Sequence, residues 1–110
     1  AVAGVVNFGG GRRGRSGATG EACALDALVS DARVMGRRAR TPSLWIYTEN
    51  DRSFPPVLAR PMAEAFREAG GTLEFRMMPP FGRDGHALLP DASGLPVWEP
   101  EVERFILRFR

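Results

Sequence analysis

The chain has 110 residues, 44% of them hydrophobic and 25% charged, values ordinary for one globular domain. A single Cys and a single His exclude an internal disulfide and a structural zinc site, which needs about four N or S ligands. The net charge is +2 with Arg as the basic residue throughout, and no apolar run approaches the roughly 20 residues of a membrane-spanning helix, so no membrane insertion is expected.

Residues 2–8 are apolar on both faces, which predicts a strand buried between two layers of helix. Residues 9–20 form a glycine-rich loop. Residues 21–37 read as a helix with Leu25, Leu28, Val29, Ala32 and Met35 on one face, and Gly36 is placed to cap it. After Thr41-Pro42, "SLWIYT" (Ser43–Thr48) is a second apolar strand, followed by the turn-rich "ENDRSFPP". A helix over residues 57–69 turns Leu58, Met62, Ala65, Phe66 and Ala69 inward, with Pro61 tolerable only near its first turn. "TLEFRMM" (residues 72–78) alternates, Leu73, Phe75 and Met77 against Glu74 and Arg76, as a half-exposed edge strand does. A loop then leads to a helix expected from Pro100, with Glu99, Glu101 and Glu103 near its start and a stripe of Val102, Phe105, Ile106 and Phe109. Strand–helix alternation of this kind predicts an α/β fold, a parallel sheet flanked by helices. Ligands then bind at the carboxyl ends of the strands.

The first of those ends, "NFGGGRRGRSG", contains G-x-x-x-x-G-R-S from Gly9 to Ser16. A phosphate-binding P-loop places Lys where Arg15 stands and opens a helix there, which Gly17 and Gly20 break. A nucleotide-binding module is therefore the minor reading. Two Arg clusters (Arg12, Arg13, Arg15 and Arg37, Arg38, Arg40) lack the interleaved aromatics of a stacking platform, so no nucleic-acid partner is expected. The second cluster sits where a helix end favours cations.

The other two strand ends carry titratable groups. One has Glu49-Asn50-Asp51; the other, "PPFGRDGH", ends in His86, the one histidine. Consecutive strands lie about 4.8 Å apart when paired, so a carboxylate on one exit can accept a hydrogen bond from an imidazole on the next. Asp51 and Glu49 both qualify as that acid. The competing readings are a turn-forming Asp and a solvent-exposed loop His. Asp84 is read as shaping the loop.

"TPSLWIYTEND.SF.P.LA", "AF..AGG", "PPFGRDGH" and "GVVNFGGGR" together resemble bacterial members of the dienelactone hydrolase family. The resemblance runs over essentially the whole chain. It implies the C-terminal three strand–helix units of an α/β-hydrolase, with Asp51 as the acid and His86 as the base of a catalytic triad. In that family the chain order is nucleophile, acid, histidine, so the G-x-S-x-G or G-x-C-x-G elbow falls one strand before "AVAGVV". Gly14-Arg15-Ser16-Gly17 has the wrong spacing for it, and Cys23 sits early in a helix rather than on an elbow. The expectation is a partial α/β-hydrolase domain over residues 1–110, the C-terminal portion of a longer protein. That protein would cleave a small-molecule carboxylic ester or lactone without metal or organic cofactor. The alternative is a non-catalytic binding domain of the same fold. The exit at Asn7, Phe8 and Gly9 then borders the cleft, with Phe54, Phe81 and Trp98 as candidates for its rim; each suits the core equally, and Trp98 slightly better.

Overall fold

The computed structural model describes residues 3–10 and 20–109, with side chains in the first helix from Leu25 onward. Three strands, β1 (Val5–Phe8), β2 (Ser43–Thr48) and β3 (Leu73–Met78), alternate with helices α1 (Gly20–Arg38), α2 (Pro56–Glu68) and α3 (Leu95–Phe109). Two short 3-10 turns, Gly85–Ala87 and Ala92–Gly94, precede α3. The strands are parallel in the order β1-β2-β3. Val5 pairs with Ser43, and Ser43 pairs with Leu73.

β2 is central and every one of its six residues is buried. A strand covered on both faces must be apolar on both, and "SLWIYT" alternates two such sets. Trp45 and Tyr47 face α1 and α2 in a core with Leu28, Ala32, Leu58, Met62 and Phe66. Leu44 and Ile46 face α3, packing with Phe105 and Leu88. Trp98 joins this second layer edge-on to Phe8, ring centroids 5.2 Å apart.

Several expectations are corrected. β1 is half-buried rather than sandwiched, with Val5 45% exposed, because among the described strands it pairs with β2 alone. Gly36 does not cap α1; the helix runs on to Arg38. Its role is close approach: a Cβ there would stand 2.3 Å from the Phe66 carbonyl oxygen. Pro61 lies inside α2, beyond the first turn that starts at Pro56. The helix forgoes one hydrogen bond, to the carbonyl of the exposed Val57. α3 begins at Leu95, not Pro100, because the 3-10 turn capped by Asp91 runs directly into it. Glu99, Glu101 and Glu103 therefore sit in mid-helix. Glu101 pairs with Arg76 and Arg104, and Ile106 is 54% exposed.

Phe54 is buried in the α1–α2 core, and Phe81 and Trp98 pack against the α3 core. All three are packing residues. The P-loop motif beyond Gly10 and the first Arg cluster lie outside the described residues, as does the side chain of Cys23. Among the described residues no helix is long and apolar enough to cross a membrane.

Candidate active site

The parallel register brings three strand exits together. After β2 the chain turns at Asn50 and Asp51, and the Asp51 N–H donates to the Thr48 carbonyl at 3.3 Å. Asp51 then caps the next turn itself. Its Oδ1 accepts the N–H groups of Ser53 and Phe54, both at 2.8 Å. Those bonds fix the carboxylate and leave Oδ2 free to face the neighbouring exit.

His86 arrives there from β3. Asn50 ties the two exits together: its Oδ1 accepts the Phe81 N–H at 2.9 Å, and its Nδ2 donates to the carbonyls of Phe81 and Gly82. Asp84 shapes the last stretch, accepting the N–H groups of Arg52 and His86 at 3.0 Å each. Those two backbone donors hold its carboxyl below the usual carboxylate range. Gly85 passes so close to β2 that a Cβ would overlap Thr48 Oγ1. That hydroxyl is buried and has no hydrogen-bond partner among the described residues.

His86 Nδ1 stands 3.0 Å from Asp51 Oδ2. The carboxylate side chain is 1% exposed and the imidazole 44%. A buried anion needs compensation, and here two backbone N–H groups and the imidazole supply it. With Nδ1–H donated to Asp51, Nε2 keeps its lone pair. Such a pair can take a proton from a nucleophile and be stabilised as the imidazolium. Glu49, the other acid considered, is exposed; the carboxylate facing His86 is that of Asp51.

The exit of β1 forms the wall of this pair. Gly9 has φ +57°, and a Cβ there would stand 2.9 Å from Asp51 Oδ2 and 3.1 Å from His86 Nδ1. Only glycine meets both conditions at low cost. Behind it, Tyr47 donates to the Gly10 carbonyl at 2.5 Å and accepts from Asn7 Nδ2 at 3.2 Å. Burial pushes the Tyr47 phenol up to about 12, opposed by the Asn7 bond and assisted by the Asp51 charge. Phe8, Gly9, Thr48, Asp51, His86 and Leu88 border a cavity of about 10 Å³. That is room for roughly one water, so the described residues present the pair without enclosing a substrate. No group of three or more His, Cys, Asp or Glu side chains gathers as a metal site among them.

No protein-family model matches the chain, and no curated protein matches it significantly. Among solved structures it superposes on the crystal structure of a thermostable esterase, with a TM-score of 0.52 and 17% identity. The match takes in 96% of this chain. The fold is α/β-hydrolase-like. The chain spans 24% of that esterase's length, and the likeness concerns the fold alone.

The sequence marks His86, the Glu49–Asp51 pair of acids, Asp84 and the Gly9 exit, while Tyr47, Asn50 and the Asn7 side chain become visible as partners only in the fold. A signal existed for Tyr47, since a phenol inside a fully apolar strand must find a hydrogen-bond partner.

Proposed function

We propose that this chain is the C-terminal part of a serine or cysteine hydrolase resembling the dienelactone hydrolases, acting on a carboxylic ester or lactone. The observation that carries the reading is the 3.0 Å contact between a buried Asp51 Oδ2 and the half-exposed His86 Nδ1, set at adjacent strand exits. The nucleophile comes from an elbow on a preceding strand that adds to the open edge of β1. Apolar grooves of about 570 and 330 Å³ border that edge, and the esterase with this fold is about four times as long.

In the reaction, His86 Nε2 takes the proton of the Ser or Cys as its Oγ or Sγ attacks the substrate carbonyl. The imidazolium, held by Asp51, then protonates the departing alkoxide as the C–O bond breaks. Water attacks the acyl-enzyme, giving its proton to the same nitrogen, and the freed nucleophile takes it back. Asp51 sets the tautomer and steadies the positive charge without itself being protonated.

The test is hydrolysis of an activated ester by the intact protein. His86→Gln and Asp51→Asn are each expected to lower kcat by about 10⁴-fold, and the in-frame sequence before Ala1 to encode a strand and a G-x-S-x-G or G-x-C-x-G elbow. Turnover unaffected by either substitution, or an elbow without Ser or Cys, overturns the reading.

A further inference from the structure

Tyr47 is 1% exposed, and the reaction above makes no use of its hydroxyl. That hydroxyl nevertheless holds two partners, the Gly10 carbonyl and Asn7 Nδ2. Asn7 turns back to the same residue, its Oδ1 accepting the Gly10 N–H at 2.9 Å. Gly10 is thus gripped on both sides, its N–H by a side chain of β1 and its carbonyl by one of β2. The Gly9 N–H is anchored as well, to the Ile46 carbonyl at 2.9 Å. A Cβ on Gly9 would stand 2.9 Å from Asp51 Oδ2 and 3.1 Å from His86 Nδ1, so both atoms lie close beside this turn. A shift of this turn therefore changes the wall against which the imidazole packs, and a displacement of about 1 Å at such a site can cost 100-fold in rate.

We propose that Tyr47 and Asn7 are positioning residues that clamp Gly10, so that the Gly9 turn holds the His86 imidazole in register with Asp51. They touch neither substrate nor reacting atoms and act through the Gly9–Gly10 backbone. The consequence for turnover rests on the hydrolase reading; the consequence for the imidazole does not.

Tyr47→Phe keeps the ring and removes only the hydroxyl. In the intact protein, the His86 Nδ1 proton resonance, assigned by its loss in His86→Gln, is expected to exchange with solvent about tenfold faster. With an activated ester, kcat should fall about tenfold while KM stays within about twofold. Asn7→Ala should reproduce both effects. The double variant should lose no more than the worse single one, because both act on one residue's backbone. A folded Tyr47→Phe protein with unchanged Nδ1 exchange overturns the clamp, whatever the turnover. If that variant does not fold, Asn7→Ala decides by the same exchange measurement. A parent protein inert towards esters whose Nδ1 exchange still quickens in Tyr47→Phe upholds the clamp and rejects the hydrolase reading alone.

Discussion

At the scale of single residues, Gly9 bears the most constraint. Its φ of +57° and the closeness of both members of the pair, 2.9 and 3.1 Å from where a Cβ would stand, leave no room for a methyl group. An L-residue in that conformation costs about 1–2 kcal/mol, before any displacement of Asp51. Gly9→Ala is expected to lower stability by at least that amount in urea titration and, on the hydrolase reading proposed above, to abolish most ester turnover of the intact protein. Tyr47 supplies a pH signature. Burial pushes its phenol up to about 12 from the ordinary tyrosine value of 10.0, so folding favours the neutral phenol. The resulting stability is fully present below pH 10 and lost as pH rises through 12. The rise corresponds to about 3 kcal/mol at most. Thermal melts across that window should show a fall in Tm that is absent from Tyr47→Phe. Asp84 has the opposite sign. Its depressed pKa contributes stability above the ordinary carboxylate range, lost as pH falls through the folded value.

At the scale of elements, the α1–α2 contact is set by Gly36. Alanine there should help an isolated helix by about 1 kcal/mol. The 2.3 Å approach of a Cβ to the Phe66 carbonyl oxygen forces the helices apart, at about 1–3 kcal/mol. The second effect wins, so Gly36→Ala is expected to be less stable in urea. The ion pairs of β3 and α3 behave differently. Glu74–Arg108 and Arg76–Glu101 join the two elements, while Glu74–Arg76 lies within β3 and Glu101–Arg104 within α3. Glu74 holds the Arg108 guanidinium further up in pKa. Surface pairs of this kind contribute at most about 1 kcal/mol. Glu74→Gln should therefore move the urea midpoint only slightly, and less still in high salt.

At the scale of the molecule, the described sheet has one edge that invites pairing. β1 pairs with β2 alone among the described strands, and apolar grooves lie along it. Unpaired apolar edges template association with other chains. The 110-residue chain by itself is expected to sediment as concentration-dependent oligomers, and Val5→Lys, at a 45% exposed edge position, to shift it towards monomer. On the hydrolase reading proposed above, the same chain alone should not turn over an activated ester above the buffer rate, since an acid–histidine pair without the elbow nucleophile completes no acyl transfer.

Local pattern by itself determined the alternation of strands and helices, the bounds of β2, and which residues of β3 share a face, because each depends on residue period; that the polar face of β3 is half-covered by ion pairs to α3 came from the fold. Pattern also determined that a carboxylate and the one histidine leave successive strands. Spacing leaves Asp51 and Glu49 open and the family resemblance implies Asp51; tertiary structure placed the Asp51 carboxylate against His86, since the turn capped by Asp51 aims an oxygen there. It decided that Pro61 and Pro100 lie within helices, where packing overrides a propensity set by one missing N–H. It alone placed Gly36 against Phe66 and Tyr47 against Gly10. These contacts join residues 30 and 37 positions apart, a separation that no local period encodes.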